Sequence, residues 1–284
     1  MDALARVYAQ KLSEVLNTPV YVENKPGASQ IVAIRSLESS PPDGHTLYLA
    51  IGSALSQGPG IRRDLPYDPL KSFTFVAQVG TAPGVVHVHP DVPIKSVAEL
   101  IAYAKANPGK LTFGTAGIGS AGHLGAEFFM NLTGVKLSHV PFKSDPEAAR
   151  EVAAGTVNMA FTLGSAAAPL AEAGKLRPIM IIGTQRFSSM PNVPSAVESG
   201  VAGLENIAPY TYYGVVGPPG LPAAIVDKVN RAVNEASKKP DVIAYLQKAS
   251  IDTVSTTPPE FRAFAEKEIA KWRKVGENVK IEWY

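Results

Sequence analysis

"GTAGIGSAGHLGAEFF", residues 114 to 129, carries G-x-G-x-x-G at Gly117, Gly119 and Gly122. The apolar run "LTF" precedes it and a helical pattern follows, the strand–turn–helix setting of an anion-cradling loop. Glycines there either close a tight connection or bring backbone N–H groups up to an anion. A dinucleotide site also needs an acidic residue ~20 positions on, at the end of the next strand, to hold the ribose hydroxyls. Here that strand is "KLSHVPF", and its end holds Pro141, Phe142 and Lys143. The ribose half is missing. The loop therefore either holds an anion other than NAD or only makes a tight strand-to-helix turn, and no cofactor is expected.

Outward from this loop, strands and helices alternate. "KLSHVPF" precedes "PEAAREVAAG", "NMAFTL" precedes "AAAPLAEAG", and "LRPIMIIG" precedes a short helix around "VPSAVESG". Crossover helices of this length predict a parallel sheet. Upstream, residues 2 to 17 place Leu4, Val7, Tyr8, Leu12, Val15 and Leu16 on one helical stripe, with Asp2 as N-cap. Strands are predicted at "VYVEN", "TLYLAI", "FTFVAQVG" and "GVVHVHP". Ser96 and Glu99 form a capping box for a helix over 97–106. After Gly200 comes the extended "YTYYGVVGPPG", then helices over 222–238, 240–249 and 259–278. These last helices have no strands beside them and must pack on the earlier sheet. The prediction is an α/β chain of two lobes, residues 1–95 with 216–284 and an inserted 96–215, crossing near "HVHPDV" and "YYGVVG", with a cleft between them.

Composition narrows the function. The 284 residues are 45% hydrophobic, and 27 basic against 25 acidic residues give a formal charge of +2. With no basic run, nucleic acid and acidic membrane surfaces are not expected partners. The absence of cysteine excludes disulfides, thiolate zinc and thiol nucleophiles. No stretch of eighteen apolar residues occurs, and no G-x-S-x-G elbow. His87 and His89 share a strand face, which is half a metal site, but with no carboxylate motif nearby they are expected at the surface or the crossing, and no metal is expected. His123, in the first turn of the glycine-loop helix, either packs and caps or donates to a bound anion. Trp272, Trp283, Tyr284 and Phe264 are assigned to helix packing.

The stretches "YVENKPGAS", "PPDGHTLYLA", "LPYDPLKSFTFVAQVG", "VAELIAYAKANPGKLTFGTAGIGSAGHLGAEFF", "HVPFKS", "AGKLRPIMIIGTQRFSSMPNVPSAVESG", "GVVGPPGLPAAIVDKVNRAVNEA" and "TPPEFRAFAEKEIAKWRKV" run in order through the whole chain. Together they resemble the extracytoplasmic solute-binding receptors of tripartite tricarboxylate transporters, the Bug receptors. The resemblance implies a type II periplasmic-binding-protein fold: two Rossmann-like lobes joined by crossing strands. It implies a non-enzymatic, monomeric, periplasmic receptor that closes on a small carboxylate, dicarboxylic or aromatic, and delivers it to the transporter's membrane components. Carried over residue by residue, the carboxylate would meet Thr115, Ala116 and Gly117 through Ser120 to His123. Beside them would lie Ser53, Ala54 and Leu55, then Phe142, Lys143 and Ser144, then Thr162 and Leu163, and Tyr210 in the second crossing.

Three departures from the family pattern stand out. Thr162 replaces an Asp associated with polar or amino groups, which argues against an amino-acid ligand. Ser29 and Gln30 interrupt a second glycine-rich stretch after "PGA". The family's signal peptide, first strand and P-x-G-G-x-x-D loop would precede "LAR", so an upstream extension is expected, without which the first lobe lacks its opening strand. The rival function is an α/β enzyme acting on a carboxylated or phosphorylated small molecule. A clustered acid/base pair with perturbed pKa values would favour it.

Overall fold

The computed structural model describes residues 1–25, 27, 30–62, 65–183, 185–187, 189–204 and 211–278. In chain order these form α1 (Asp2–Leu16), α2 (Ile31–Glu38), β1 (Tyr48–Ile51), a π-turn (Ser53–Gln57), α3 (Gly58–Ile61), α4 (Pro69–Ser72), β2 (Thr74–Ala82) and β3 (Gly84–Val88). Then follow α5 (Val97–Ala106), β4 (Thr112–Thr115), α6 (Ala121–Thr133), β5 (Ser138–Pro141), α7 (Asp145–Ala153), β6 (Met159–Leu163), α8 (Gly164–Glu172) and β7 (Arg177–Ile182). A 3₁₀ turn (Val197–Ser199), β8 (Thr211–Gly217), α9 (Ala223–Ala236), α10 (Pro240–Lys248), β9 (Asp252–Thr253) and α11 (Pro258–Asn278) complete the order. No described helix is long and apolar enough to cross a membrane. Trp283 and Tyr284 lie outside the described residues.

The chain divides into two compact units, the first comprising Met1–Thr81, Tyr212–Gln247 and Thr253–Lys274, the second mainly Ala82–Thr211. The division falls at 81/82 and 211/212, earlier than the predicted 95/96 and 215/216. The reason is that β3 hydrogen-bonds β6 and β7, so the segment leading up to residue 95 is bound to the second sheet.

The first unit is built on a sheet of order β1-β8-β2-β9, with β1 antiparallel to β8. All seven residues of β8 are buried, which requires cover on both faces. Phe261 of α11 supplies part of it by lying directly on the strand: a Cβ at Gly214 would sit 2.1 Å from the Phe261 ring. That ring meets Phe75 edge-on at 5.2 Å and Tyr212 at 6.3 Å. On α1 the predicted stripe is present, with Leu4, Tyr8 and Leu12 buried. Its N-cap, however, is Met1 with no side-chain cap. Asp2 lies inside the first turn, where its carboxylate accepts from Arg6 at 2.9 Å and Asn24 at 2.7 Å, so it is not free to cap. The predicted strand "VYVEN" is also corrected. Residues 19–25 run without regular structure and Tyr21 is 87% exposed. A strand exists through its ladder partners, and among the described residues this segment has none.

The second unit's sheet has the order β5-β4-β6-β3-β7. Strands β5, β4 and β6 are parallel, but β3 runs antiparallel to both β6 and β7. The prediction of an all-parallel sheet is therefore corrected to a mixed one. Parallel pairing follows from a crossover helix, and β3 precedes the first strand–helix repeat. Both faces are covered. Val86, Val88, Met159 and Phe161 join a core with Leu100 of α5 and Phe129 of α6. The alternate residues Val85 and Ala160 join another with Ala149 of α7 and Ala167 of α8.

Gly214→Ala is expected to cost about 3 kcal/mol, since overpacking cannot be relieved against a buried ring. Trimming the ring by Phe261→Leu should recover part of that loss. Urea melts of the two single variants and the double variant would show it as non-additivity; simple additivity would mean that the ring and the strand do not oppose each other.

Candidate ligand-binding site

Three helices of the second unit, α6, α7 and α8, begin just beyond the C-terminal ends of three adjacent parallel strands, β4, β5 and β6. That edge of an open α/β sheet is where ligands collect, because helix N-termini present N–H groups and the positive end of the dipole. The three ends are not equivalent. Helix α7 carries Asp145 and Glu147 in its first turn, and Ser144 accepts from the Glu147 N–H. The Lys143 N–H is also taken, by Glu147 Oε2 at 3.0 Å. This end supplies its own anions. Helices α6 and α8 have no acidic residue in their first turns.

The loop entering α6 is held open by its own side chains. Gly117 and Gly119 adopt φ values of 102° and 75°, where residues with a Cβ are strained. Thr115, wholly buried, accepts the Gly117 N–H on Oγ1 at 3.2 Å and contacts His139 Nε2 at 2.7 Å. The Gly119 N–H donates to His123 Nδ1 at 3.2 Å, and the His123 N–H to Ser120 Oγ at 3.3 Å. The His123 and His139 rings stack at 4.3 Å, and Phe113 covers His139 at 4.9 Å. The N–H groups of Ile118, Ala121 and Gly122 take no acceptor among the described residues.

His123 is thus a neutral brace. Since Nδ1 accepts, the ring proton is on Nε2, facing Glu127 Oε1 at 3.6 Å. Burial, with His139 adding to it, lowers the His123 pKa to about 4, and burial also lowers that of His139. Burial raises the Glu127 pKa. Of the two roles open to His123, packing is the one its contacts fill.

The remaining site residues fall as follows. Phe142 is tied to Thr115 by a backbone bond of 2.9 Å, and its ring closes over Gly114, where a Cβ would lie 3.0 Å away. Lys143 is exposed and makes no ion pair among the described residues. Leu163 is the N-cap of α8. Thr162 is fully buried, and its hydroxyl contacts His87 Nε2 at 2.9 Å. In the first unit Ala54 and Leu55 point into the core, so only their backbone and the half-buried Ser53 side chain can serve a ligand. Tyr210 lies outside the described residues. The surface placement of His87 is corrected. It is wholly buried, because β3 is an interior strand covered on both faces, and burial lowers its pKa to about 3. Among the described residues no group of three metal-ligating side chains occurs.

Residues 4–281 match the family model described as tripartite tricarboxylate transporter family receptor. The chain belongs to that family. A UPF0065 protein in the gbd 5′ region of Cupriavidus necator is 34% identical over 279 residues, spanning 98% of this chain and 83% of that protein. A structure of an R. palustris protein with adipate is similar at a TM-score of 0.84 and 31% identity, covering 98% of this chain and 92% of the other. MatC from Rhodopseudomonas palustris, with bound malate, gives 0.82 at 27% identity, covering 97% and 94%. The fold is accordingly that of the periplasmic binding proteins of this receptor family.

Two contributors had gone unmarked in the residue pattern. His139 lies on β5 and reaches the loop only because β5 pairs with β4. Gln30 donates to Ser53 Oγ at 2.9 Å; its one sign in the sequence was the break it makes in a glycine-rich stretch.

The buried histidines imply acid sensitivity. A histidine whose folded pKa lies below 6.5 favours the neutral form in the fold, so its contribution is complete above pH 6.5 and is lost as pH falls toward the folded value. For His87 the loss should run at about 1.4 kcal/mol per pH unit once the unfolded chain's histidine is protonated. Urea melts between pH 7 and 4.5, run on the unaltered protein and on His87→Asn so that the shared titration of carboxylates, His123 and His139 cancels, should differ by this slope. Parallel profiles for the two proteins would contradict the burial of a neutral His87.

Proposed function

We propose that the protein is a receptor for a small carboxylate, with dicarboxylates first among candidates. One observation carries the reading. In a member of this receptor family, a glycine loop braced by Thr115, His123 and His139 leaves the N–H groups of Ile118, Ala121 and Gly122 without acceptors among the described residues, at a helix end with no acid in its first turn. Such a site takes an anion through backbone donors and the helix dipole. The adipate and malate in the two similar structures belong to the same chemical class. Ser53 of the first unit and Thr115 to Ser120 of the second are proposed as ligand contacts. Capture by population shift toward a ligand-closed state, delivery to the membrane components of a tripartite transporter, a monomeric state and a periplasmic address belong to the same proposal.

The enzymatic alternative rests on the His123–Glu127 pair, whose pKa values move in opposite directions. That pair is engaged otherwise: His123 Nδ1 is occupied by the loop and the ring is stacked on His139. A general base needs a free lone pair aimed at substrate.

A thermal-shift screen over dicarboxylates, hydroxy acids, aromatic acids and amino acids tests the receptor reading. A ligand at 100 times its Kd should add ~2.7 kcal/mol of stability, and no shift with any carboxylate would sink it. Thr162 sharpens the expectation, since its hydroxyl is buried against His87 and offers no anion to an ammonium group. Succinate and glutarate should therefore bind at least tenfold more tightly than aspartate and glutamate by calorimetry. Equal or tighter binding of the amino acids would refute this.

A further inference from the structure

Gln30, Tyr48 and Ser53 of the first unit form a chain of hydrogen bonds with a defined direction. The Tyr48 hydroxyl donates to Gln30 Oε1 at 2.7 Å, and Gln30 Nε2 donates to Ser53 Oγ at 2.9 Å. Burial pushes the Tyr48 pKa up to about 12, so the phenol keeps its proton and remains the donor. An amide that accepts on oxygen must donate from nitrogen. The Ser53 oxygen is therefore occupied by an incoming N–H, and its own O–H must point elsewhere. No acceptor for that proton is found among the described residues. Gln30 is meanwhile held at φ 78°, a left-handed conformation uncommon for a residue with a side chain. Asn17 also has a positive φ, but it closes a helix, where Asn is common. Gln30 stands at a helix N-cap without bonding the helix through its side chain, and among the described residues that side chain bonds Tyr48 and Ser53 alone.

We infer that Gln30 is a positioning residue that turns the Ser53 O–H away from itself as a donor in need of an acceptor, so that the first unit favours an acceptor-only ligand group, a carboxylate, over an amide. The inference rests on the receptor reading above and deepens it. A ligand carboxylate oxygen would accept the Ser53 proton without disturbing the chain. An amide NH₂ in the same place could use only the second lone pair of Ser53 Oγ and would leave the Ser53 O–H without an acceptor, an unsatisfied donor that costs binding.

The test compares malate, adipate and pimelate with the monoamide of each, by calorimetry, in the unaltered protein and in Gln30→Met, Gln30→Glu and Tyr48→Phe variants. The unaltered protein should prefer the tightest of these diacids over its monoamide by at least tenfold. Gln30→Met removes the relay without adding charge, and the preference should fall at least threefold because Ser53 can then rotate to accept. Gln30→Glu accepts from both hydroxyls, turns Ser53 around, and should bring the preference to parity or reverse it. Tyr48→Phe leaves the amide free to flip and should act like Gln30→Met, which keeps the test intact if a Gln30 variant fails to fold. Changed affinity with an unchanged preference would assign Gln30 a purely structural role and overturn the inference. So would a change confined to Gln30→Glu, which is charge repulsion alone. Failure of the unaltered protein to bind any of the three diacids would overturn the receptor reading for this ligand class, and this inference with it.

Discussion

Every backbone N–H in a folded protein must find an acceptor or remain open to water or a ligand. The loop between β4 and α6 divides its N–H groups between these two fates. Thr115 and His123 take those of Gly117 and Gly119, and Ser120 takes that of His123. This occupied set fixes the path of the chain and leaves the N–H groups of Ile118, Ala121 and Gly122 without acceptors among the described residues before anything binds. Preorganisation of this kind reduces the ordering cost of binding. The stacked imidazoles beneath the loop can do this only while neutral, and burial keeps them so.

Neighbouring helices show how the same architecture avoids competing sites. An N-terminus beyond a parallel strand attracts anions wherever it occurs. At α7 that attraction is already met by Asp145 and Glu147, which lie in the first turn. The Ser144–Glu147 bond and the bond from the Lys143 N–H to Glu147 close this end off with the chain's own atoms. Two acidic residues in its first turn thus set one of three similar helix ends apart from the other two.

Much of this was legible in the order of residues, and the failures have physical causes. The strand–glycine–helix unit was evident because glycine spacing and apolar periodicity are local properties, and Ser120 caps α6 as such a unit requires. "VYVEN" misled because a β-branched, alternating run records a propensity for pairing, whereas a strand also needs a neighbour. His87 misled for the opposite reason. A histidine between valines looks half-exposed until β3 takes an interior place between β6 and β7, in a sheet with helices packed on both faces. The Thr115–His139 and Gln30–Ser53 bonds span 24 and 23 residues, and no local pattern encodes a contact at that separation.

The insertion of β3 also sets an order of events in time. Its partners β6 and β7 lie far downstream, ending at Leu163 and Ile182, and β1 waits for β8, which begins at Thr211. Neither sheet can close until most of the chain has been synthesised, and pairing over such distances is slow because loop-closure entropy must be overcome first. Apolar strands such as β2 and β3 therefore stay unpaired while the chain emerges from the ribosome. Late closure of this sort leaves a nascent chain extended and threadable for longer than a fold assembled from local hairpins would.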